Sequence, residues 1–413
     1  MVVSALFTLP LLVQLDAPAG ELTASDVVEH YLVQAHTRYS DSLAAAQQLN
    51  KAVQAFLREP TAEGQSAAKE AWLRAHSVYS HTEIFRFGNP NADAWEGKVN
   101  AWPMDEGLID YVADGYVFHE GNPFATYNII ATGSLQIDEE LISAMAEGTD
   151  PKAAYELRMS EVESNVTTGY HAIEFLLWGQ DLDGGATRDN GGQRPHTDFV
   201  LGEGGTGGHN KRRREYMQAV VGLLQYDLRF AVRDWKPEGK LYSKTFAALS
   251  VAERLDRMLI GMGSLSFAEL ASERIRVALL TGDQEEEQSC FSDTTHHAIL
   301  HNVLGIESLY FGRHTRIDGT VVQGPSLSEL VRSLDPQLDA ELTEAFAKTR
   351  EVAQAIADAG DAGRPFDTTI ADFEATEGRA QLERLIERLR IQAECLEAIR
   401  ARVPELALVG AQE

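Results

Sequence analysis

The chain predicts an all-α fold, two helical-bundle domains related by an internal repeat. Three observations carry that expectation. Apolar residues recur at helical spacing through most of the 413 residues, alternating strand patterns are scarce, and one helix ending occurs three times.

The elements follow in order. Residues 1–20, "MVVSALFTLPLLVQLDAPAG", are apolar and end in small residues. They resemble a secretory leader with a cleavage region near Ala17 to Ala19, although the first Lys or Arg is Arg38. An N-terminal bundle is expected over 21–190. Its helices cover 25–60, stopping at Pro60, then 62–88, closed by Gly88, then 151–179. The last should break at Val166-Thr167-Thr168-Gly169, because β-branched residues and glycine weaken a helix. A glycine-rich connection spans 191–210, the end of a long aperiodic stretch that starts at 179. A loop of that length either carries function or joins units. The C-terminal bundle, 211–413, takes helices at 210–234, 241–260, 266–280, 294–311, 337–359 and 374–402. No run reaches about 18 apolar residues, so no transmembrane helix is expected.

Hydrophobic residues make up 44% and charged residues 24%, an ordinary globular mixture. The net charge of −27 argues against nucleic acid as a partner and favours cations. Cys290 and Cys395 show no zinc-type spacing, and their positions leave both a disulfide and two free thiols open.

The recurring ending is Glu-x-[Phe/Leu]-x-[Phe/Trp]-Gly, at 83–88, 174–179 and 307–312. The second and third copies also share the preceding isoleucine, Ile173 and Ile306. Each puts a glutamate near the negative end of a helix dipole, which asks for a compensating cation or donor. Arg86 and Arg313 are nearby candidates for Glu83 and Glu307. The second copy has no basic residue beside it, which leaves Glu174 as the glutamate that faces a cation from outside the chain. The plain alternative is a duplicated structural helix end.

His171 stands three residues before Glu174, so a helix places both on one face. A His and a carboxylate so placed can share a first-row metal ion, with carboxylates added from facing helices, or simply bond to each other. Glu83, from the first copy of the ending, and Asp105, in "AWPMDEGLIDY", are the further candidate ligands. Gly169, Tyr170 and Asp181 are candidate supports around them. Asp293, His296 and Glu307, with His297 and His301, are candidates for a second site in the second half. The acidic run "DQEEEQ" at 283–288 reads as a solvated loop. The zinc-protease helix HExxH, a Walker phosphate loop and a G-x-S-x-G elbow are all absent, and "DLDGGATRDN" lacks the order of an EF-hand. If His171 ligates with an ordinary pKa, metal binding should weaken as pH falls through about 6.5.

"GYHAIEFLLWGQD" fits the GxHxxE motif of the imelysin-like proteins. The chain resembles that family, which includes the iron-regulated protein A group and a domain of bacterial iron-uptake lipoproteins. "AWLRAHSVYSHTEIFRFG", "AWPMDEGLIDY", "NGGQRPHTDF" and "EEEQSCFSDTTHHAILHN" look like the same family, from about residue 25 to about 400. The resemblance implies an all-α fold of two bundle repeats, a periplasmic or cell-envelope location, and a role tied to iron. It maps the motif onto Gly169, His171 and Glu174, and the surrounding acids onto Glu83 and Asp105. The implied cofactor is a metal ion, iron first, with zinc or copper as alternatives. The implied partners are iron or an iron complex and an envelope iron-uptake protein. A metallopeptidase, which the family's founding label names, and a heme- or partner-binding protein without metal chemistry are the competing functions. A lipoprotein-type cysteine near the start is absent.

Overall fold

The computed structural model describes residues 22–92, 95–116, 122–147, 162–182, 191–374 and 376–411. The leader-like residues 1–20, the stretch 151–161 of the third expected helix, and 183–190 of the long loop lie outside the described residues.

The fold is all-α. Helix α1 (Ala24–Arg58) opens on a reciprocal capping box between Thr23 and Asp26 and stops just before the Glu59-Pro60 step. Helix α2 (Ala62–Ser80) packs along it. Helices α3 (Glu139–Glu147) and α4 (Gly169–Trp178) follow in the first half, and α5 (Asn210–Asp234), expected in the C-terminal bundle, lies against α1 and α4 and is counted with them. All ten residues of α4 are buried, which makes it the core helix of this half.

The second half holds α6 (Tyr242–Ala247), α7 (Val251–Gly263), a π-helical segment (Ser264–Arg276), α8 (Val277–Thr281), α9 (Thr295–Tyr310), α10 (Leu327–Leu334), α11 (Pro336–Asp361), α12 (Phe366–Ala371) and α13 (Glu377–Arg400). Helix α13 packs on α11, α7 and the π-helical segment, and α9 packs on both α11 and α2. A small antiparallel hairpin follows α9: β1 (Arg313–Thr315) pairs with β2 (Val321–Gln323), His314 opposite Val322. Buried apolar residues from both halves join in one cluster, running from Ala24 to Leu406. Among the described residues no helix is long and apolar enough to cross a membrane.

Three departures from the expected helices matter for the site. Helix α2 ends at Ser80, not at Gly88. There the Ser80 hydroxyl donates to His76 O, and the Thr82 hydroxyl and N–H both donate to Tyr79 O. These local bonds compete with the helix ladder, and Glu83–Phe85 form a separate 3-10 turn. The expected helix 241–260 divides because Ser250 and Glu253 form a capping box that starts α7. The expected helix 266–280 is largely π-wound, and that winding sets residues five apart on one face. The glycine-rich connection is also more than a tether. Its Arg194 and Asp198 join Asp110 and Arg213 in a buried charge cluster, with Arg194 and Arg213 at 2.7 and 2.6 Å from Asp110.

Candidate functional site

The site is built on α4. Its first residue, Gly169, has φ +86° and lies against the Lys98–Val99 backbone; a Cβ there would sit 2.5 Å from Val99 O. Only glycine combines that dihedral with that approach. Tyr170 fixes the helix to α2: its carbonyl accepts from Trp72 Nε1 at 2.8 Å and its hydroxyl donates to Ala75 O at 3.3 Å. At the other end Gly179, φ +77°, turns the chain out of the helix.

One turn into α4, His171 Nδ1 lies 2.8 Å from Glu174 Oε2, both side chains buried. Glu174 Oε1 accepts from the Ser292 N–H at 3.0 Å and the Ser292 hydroxyl at 2.6 Å. Both oxygens of Glu174 are therefore engaged, and among the described residues no Arg or Lys pairs with it. His171 Nε2 is different: it is buried and has no hydrogen-bond partner among the described residues. The His171 ring faces His76 at 5.3 Å and Trp72 at 6.4 Å between centroids.

A polar chain continues through His76. Its Nε2 meets Asn100 Oδ1 at 3.0 Å, Asn100 donates to Glu83 Oε1 at 2.7 Å, and Arg274 grips Glu83 with two bonds of 2.8 and 3.0 Å. Arg274 comes from the π-helical segment. The π winding brings Glu269, five residues earlier, beside it, with Oε1 2.8 Å from Arg274 Nη2.

The electrostatics divide the site. Burial, with smaller effects of neighbouring charges, pushes His171 and His76 down to about 3, so both rings are neutral at neutral pH. Burial alone would raise Glu83, but the charge and hydrogen bonds of Arg274 overcome it and hold Glu83 below the usual range. Glu174 has no such cation. Burial raises it well above its ordinary value despite the two Ser292 bonds. Beyond it lies Glu287, buried, with neither oxygen in a hydrogen bond of good geometry to the described residues. Burial and the charges of Asp367, Asp293 and Glu174 raise its pKa well above normal. Asp181, Asp293 and Asp367 each offer an oxygen within 4.8 Å of one another next to this acidic interior.

The residues singled out in the sequence fall into several settings. His171 and Glu174 are brought together. Glu83 joins them electrostatically, through His76 and Asn100, but is held by Arg274 rather than by Arg86, whose guanidinium faces Glu96 and Glu269. Asp105 sits elsewhere, accepting from Asn122 and from the Ser164 hydroxyl at 2.7 Å. Among the described residues, no group of three His, Cys, Asp or Glu donors within 4.8 Å contains His171, Glu174, Glu83 or Asp105. The four do not converge as one ligand set, because Glu83 is already paired and Asp105 belongs to another cluster. Asp181 accepts from Gln284 and lies with the carboxylates of Asp293 and Asp367. Asp293 lies with Asp181 and Asp367, whereas His296 lies with His297 and Asp361. Glu307 pairs with Arg350 on the surface of α11, not with Arg313. Gly88, Gly179 and Gly312 share positive φ, while their glutamates occupy three different surroundings. The acidic run is not wholly solvated: Glu287 and Gln288 are buried. Cys290 and Cys395 are both free thiols.

Sequence reasoning gave His76, Asn100, Arg274, Ser292 and Glu287 no part in this site. Arg274 stands 191 residues from Glu83 and Ser292 stands 118 from Glu174, so no local spacing marks either pair. His76 alone carried a signal, seven residues before Glu83 at helical spacing.

Fold and site together define a class: an all-helical protein whose core helix carries a carboxylate-oriented histidine in a GxHxxE motif. The chain belongs to the imelysin family (peptidase M75), whose sequence model matches residues 35–396. It is 24% identical over 333 residues to iron-regulated protein A of Synechococcus elongatus, covering 81% of this chain and 74% of that protein. Among solved structures it is similar to an iron-regulated protein A precursor from Parabacteroides distasonis, with a TM-score of 0.67 at 18% identity, covering 94% of this chain and 97% of that one. An imelysin-like protein from Psychrobacter arcticus gives a TM-score of 0.53 at 14% identity, covering 92% and 96%. At these identities the two structures bear on the fold alone.

Proposed function

We propose that this chain handles iron at the cell envelope, binding an iron ion or a small iron complex in the GxHxxE pocket. One observation carries the reading: Glu174 holds His171 by Nδ1, and the buried Nε2 has no partner among the described residues. A carboxylate that accepts from one imidazole nitrogen fixes the ring so that the other can ligate a metal. Glu174 is then the orienting group and not a second ligand. Ser292 in turn holds Glu174. Iron bound there would be held by His171 and would supply Lewis-acid or redox character to the pocket. The buried carboxyl groups of Glu174 and Glu287 favour a cation nearby, while Arg274 already neutralises Glu83. With few anionic donors left at His171, an iron species that brings its own water or chelating oxygens fits better than a bare ion in a closed cage.

The names of the similar proteins support an iron role, and the leader-like residues 1–20 support export, as does the description of one relative as a precursor. The peptidase reading is weaker, because a metallopeptidase needs a base free to face substrate. Here both oxygens of Glu174 are occupied. The test is anaerobic loading with Fe2+, Zn2+ or Cu2+, dialysis and metal analysis, for wild type and His171→Ala, alongside casein turnover. Wild type retaining more iron than His171→Ala, by one equivalent, without casein cleavage, is expected. Equal retention by both proteins sinks the pocket assignment, and metal-dependent casein cleavage restores the peptidase.

A further inference from the structure

Away from the GxHxxE pocket, the start of α9 meets the end of α11. His296 and His297 lie in the first turn of α9, and Asp361 is the last residue of α11. The Nε2 atoms of both histidines converge on one oxygen: His297 lies 2.9 Å and His296 3.5 Å from Asp361 Oδ1. The two rings are 4.4 Å apart between centroids. One donor atom from each of the three residues lies within 4.8 Å of the others.

We propose that His296, His297 and Asp361 form a second metal site, for a divalent first-row ion such as Zn2+ or Cu2+, independent of the GxHxxE pocket.

The distances suit an ion between the three side chains. Metal–nitrogen bonds of about 2.0–2.1 Å in a tetrahedral site separate neighbouring ligand atoms by roughly 3.3 Å. The two measured separations straddle that value. Two imidazoles and a carboxylate are a donor set that suits such ions and leaves positions for water. Access is open on one side, since the Asp361 side chain is 60% and that of His297 34% exposed. His296 is the fixed member. Its ring lies against Gly360, where a Cβ would come 2.5 Å from the ring carbon Cγ, so the missing side chain makes room for the imidazole beside Asp361. Burial and the neighbouring His297 push His296 down to about 4, and the ring is neutral, as a ligand must be. The helix dipoles do not decide the matter: the end of α11 favours a cation and the start of α9 opposes one.

The test is a Zn2+ titration by calorimetry on the full chain carrying His171→Ala, which silences the first pocket. One equivalent should bind to that protein. Adding His297→Ala or Asp361→Asn should weaken that binding at least tenfold, and both positions are exposed enough for the fold to tolerate the change. The Cu2+ form should show two nitrogen ligands by electron paramagnetic resonance, and one after His297→Ala. Zn2+ that binds equally well without His297 or Asp361, or no binding to the His171→Ala protein, overturns the second site and leaves the GxHxxE reading standing.

Discussion

His171 shows how far burial changes what a motif predicts. A histidine of ordinary pKa titrates near 6.5, which would switch metal binding off in mild acid. Burial lowers His171 and His76 to about 3, so that switch does not operate through the imidazole. The same shift links the rings to stability. A group with a lowered folded pKa contributes stability above its unfolded pKa and loses it as pH falls through the folded one. For His76 the window runs from about 6.5 down to about 3. Glu174 and Glu287, with raised pKa values, act in the opposite sense, contributing at low pH and losing it as pH rises. The two signs oppose, so the informative quantity is a difference. Urea unfolding of wild type and His76→Asn between pH 7 and pH 4.5 should show the advantage of wild type shrinking by about 1.4 kcal/mol per pH unit below 6.5. Parallel profiles would mean that His76 is not held neutral by its surroundings.

At the scale of elements, the long helices were legible and their local exceptions were not. The expected helix 210–234 coincides with α5, and 25–60 and 294–311 differ from α1 and α9 by a residue or two. Periodic apolar faces over many turns leave little freedom. The end of α2 was hidden because Ser80 and Thr82 look like helix residues until their hydroxyls are seen bonding backward. The Ser250-x-x-Glu253 signature was present in the sequence, and apolar periodicity on both sides masked it. Three-residue strands carry too little alternation to register, and the 13 residues Ser264–Arg276 are too few for the longer π period to stand out from that of an α-helix. Glu287 was hidden by its acidic neighbours, because a run of like charges reads as solvated throughout. Of the motif itself, the glycine is the part with a purely steric meaning. Gly169→Ala places a methyl group 2.5 Å from Val99 O at a φ that alanine disfavours. It should lower stability by more than about 1 kcal/mol. It should also displace His171, so that thermal unfolding and metal retention fall together. A normal melting temperature in Gly169→Ala would show that the Lys98–Val99 contact is slack.

For the whole molecule, a net charge of −27 surrounds an interior that joins both halves in one apolar cluster. Ser292 and Arg274, from the second half, complete groups that begin in the first, on Glu174 and Glu83. The chain therefore needs both halves to orient His171, which explains why residues 169–179 alone marked the His171–Glu174 pair without revealing that Ser292 holds the glutamate. The negative exterior draws cations toward the protein, an effect that salt weakens. The central claim concerns one atom, Nε2 of His171, and histidine-labelled protein reads it directly. Long-range proton–nitrogen NMR of the imidazoles, with Zn2+ as a diamagnetic probe, resolves each ring and so separates His171 from His296 and His297. The account predicts that Zn2+ shifts the His171 Nε2 resonance strongly while Nδ1 stays protonated against Glu174. A His171 Nε2 resonance unchanged at saturating Zn2+ would contradict it and leave the HxxE pair a structural hydrogen bond.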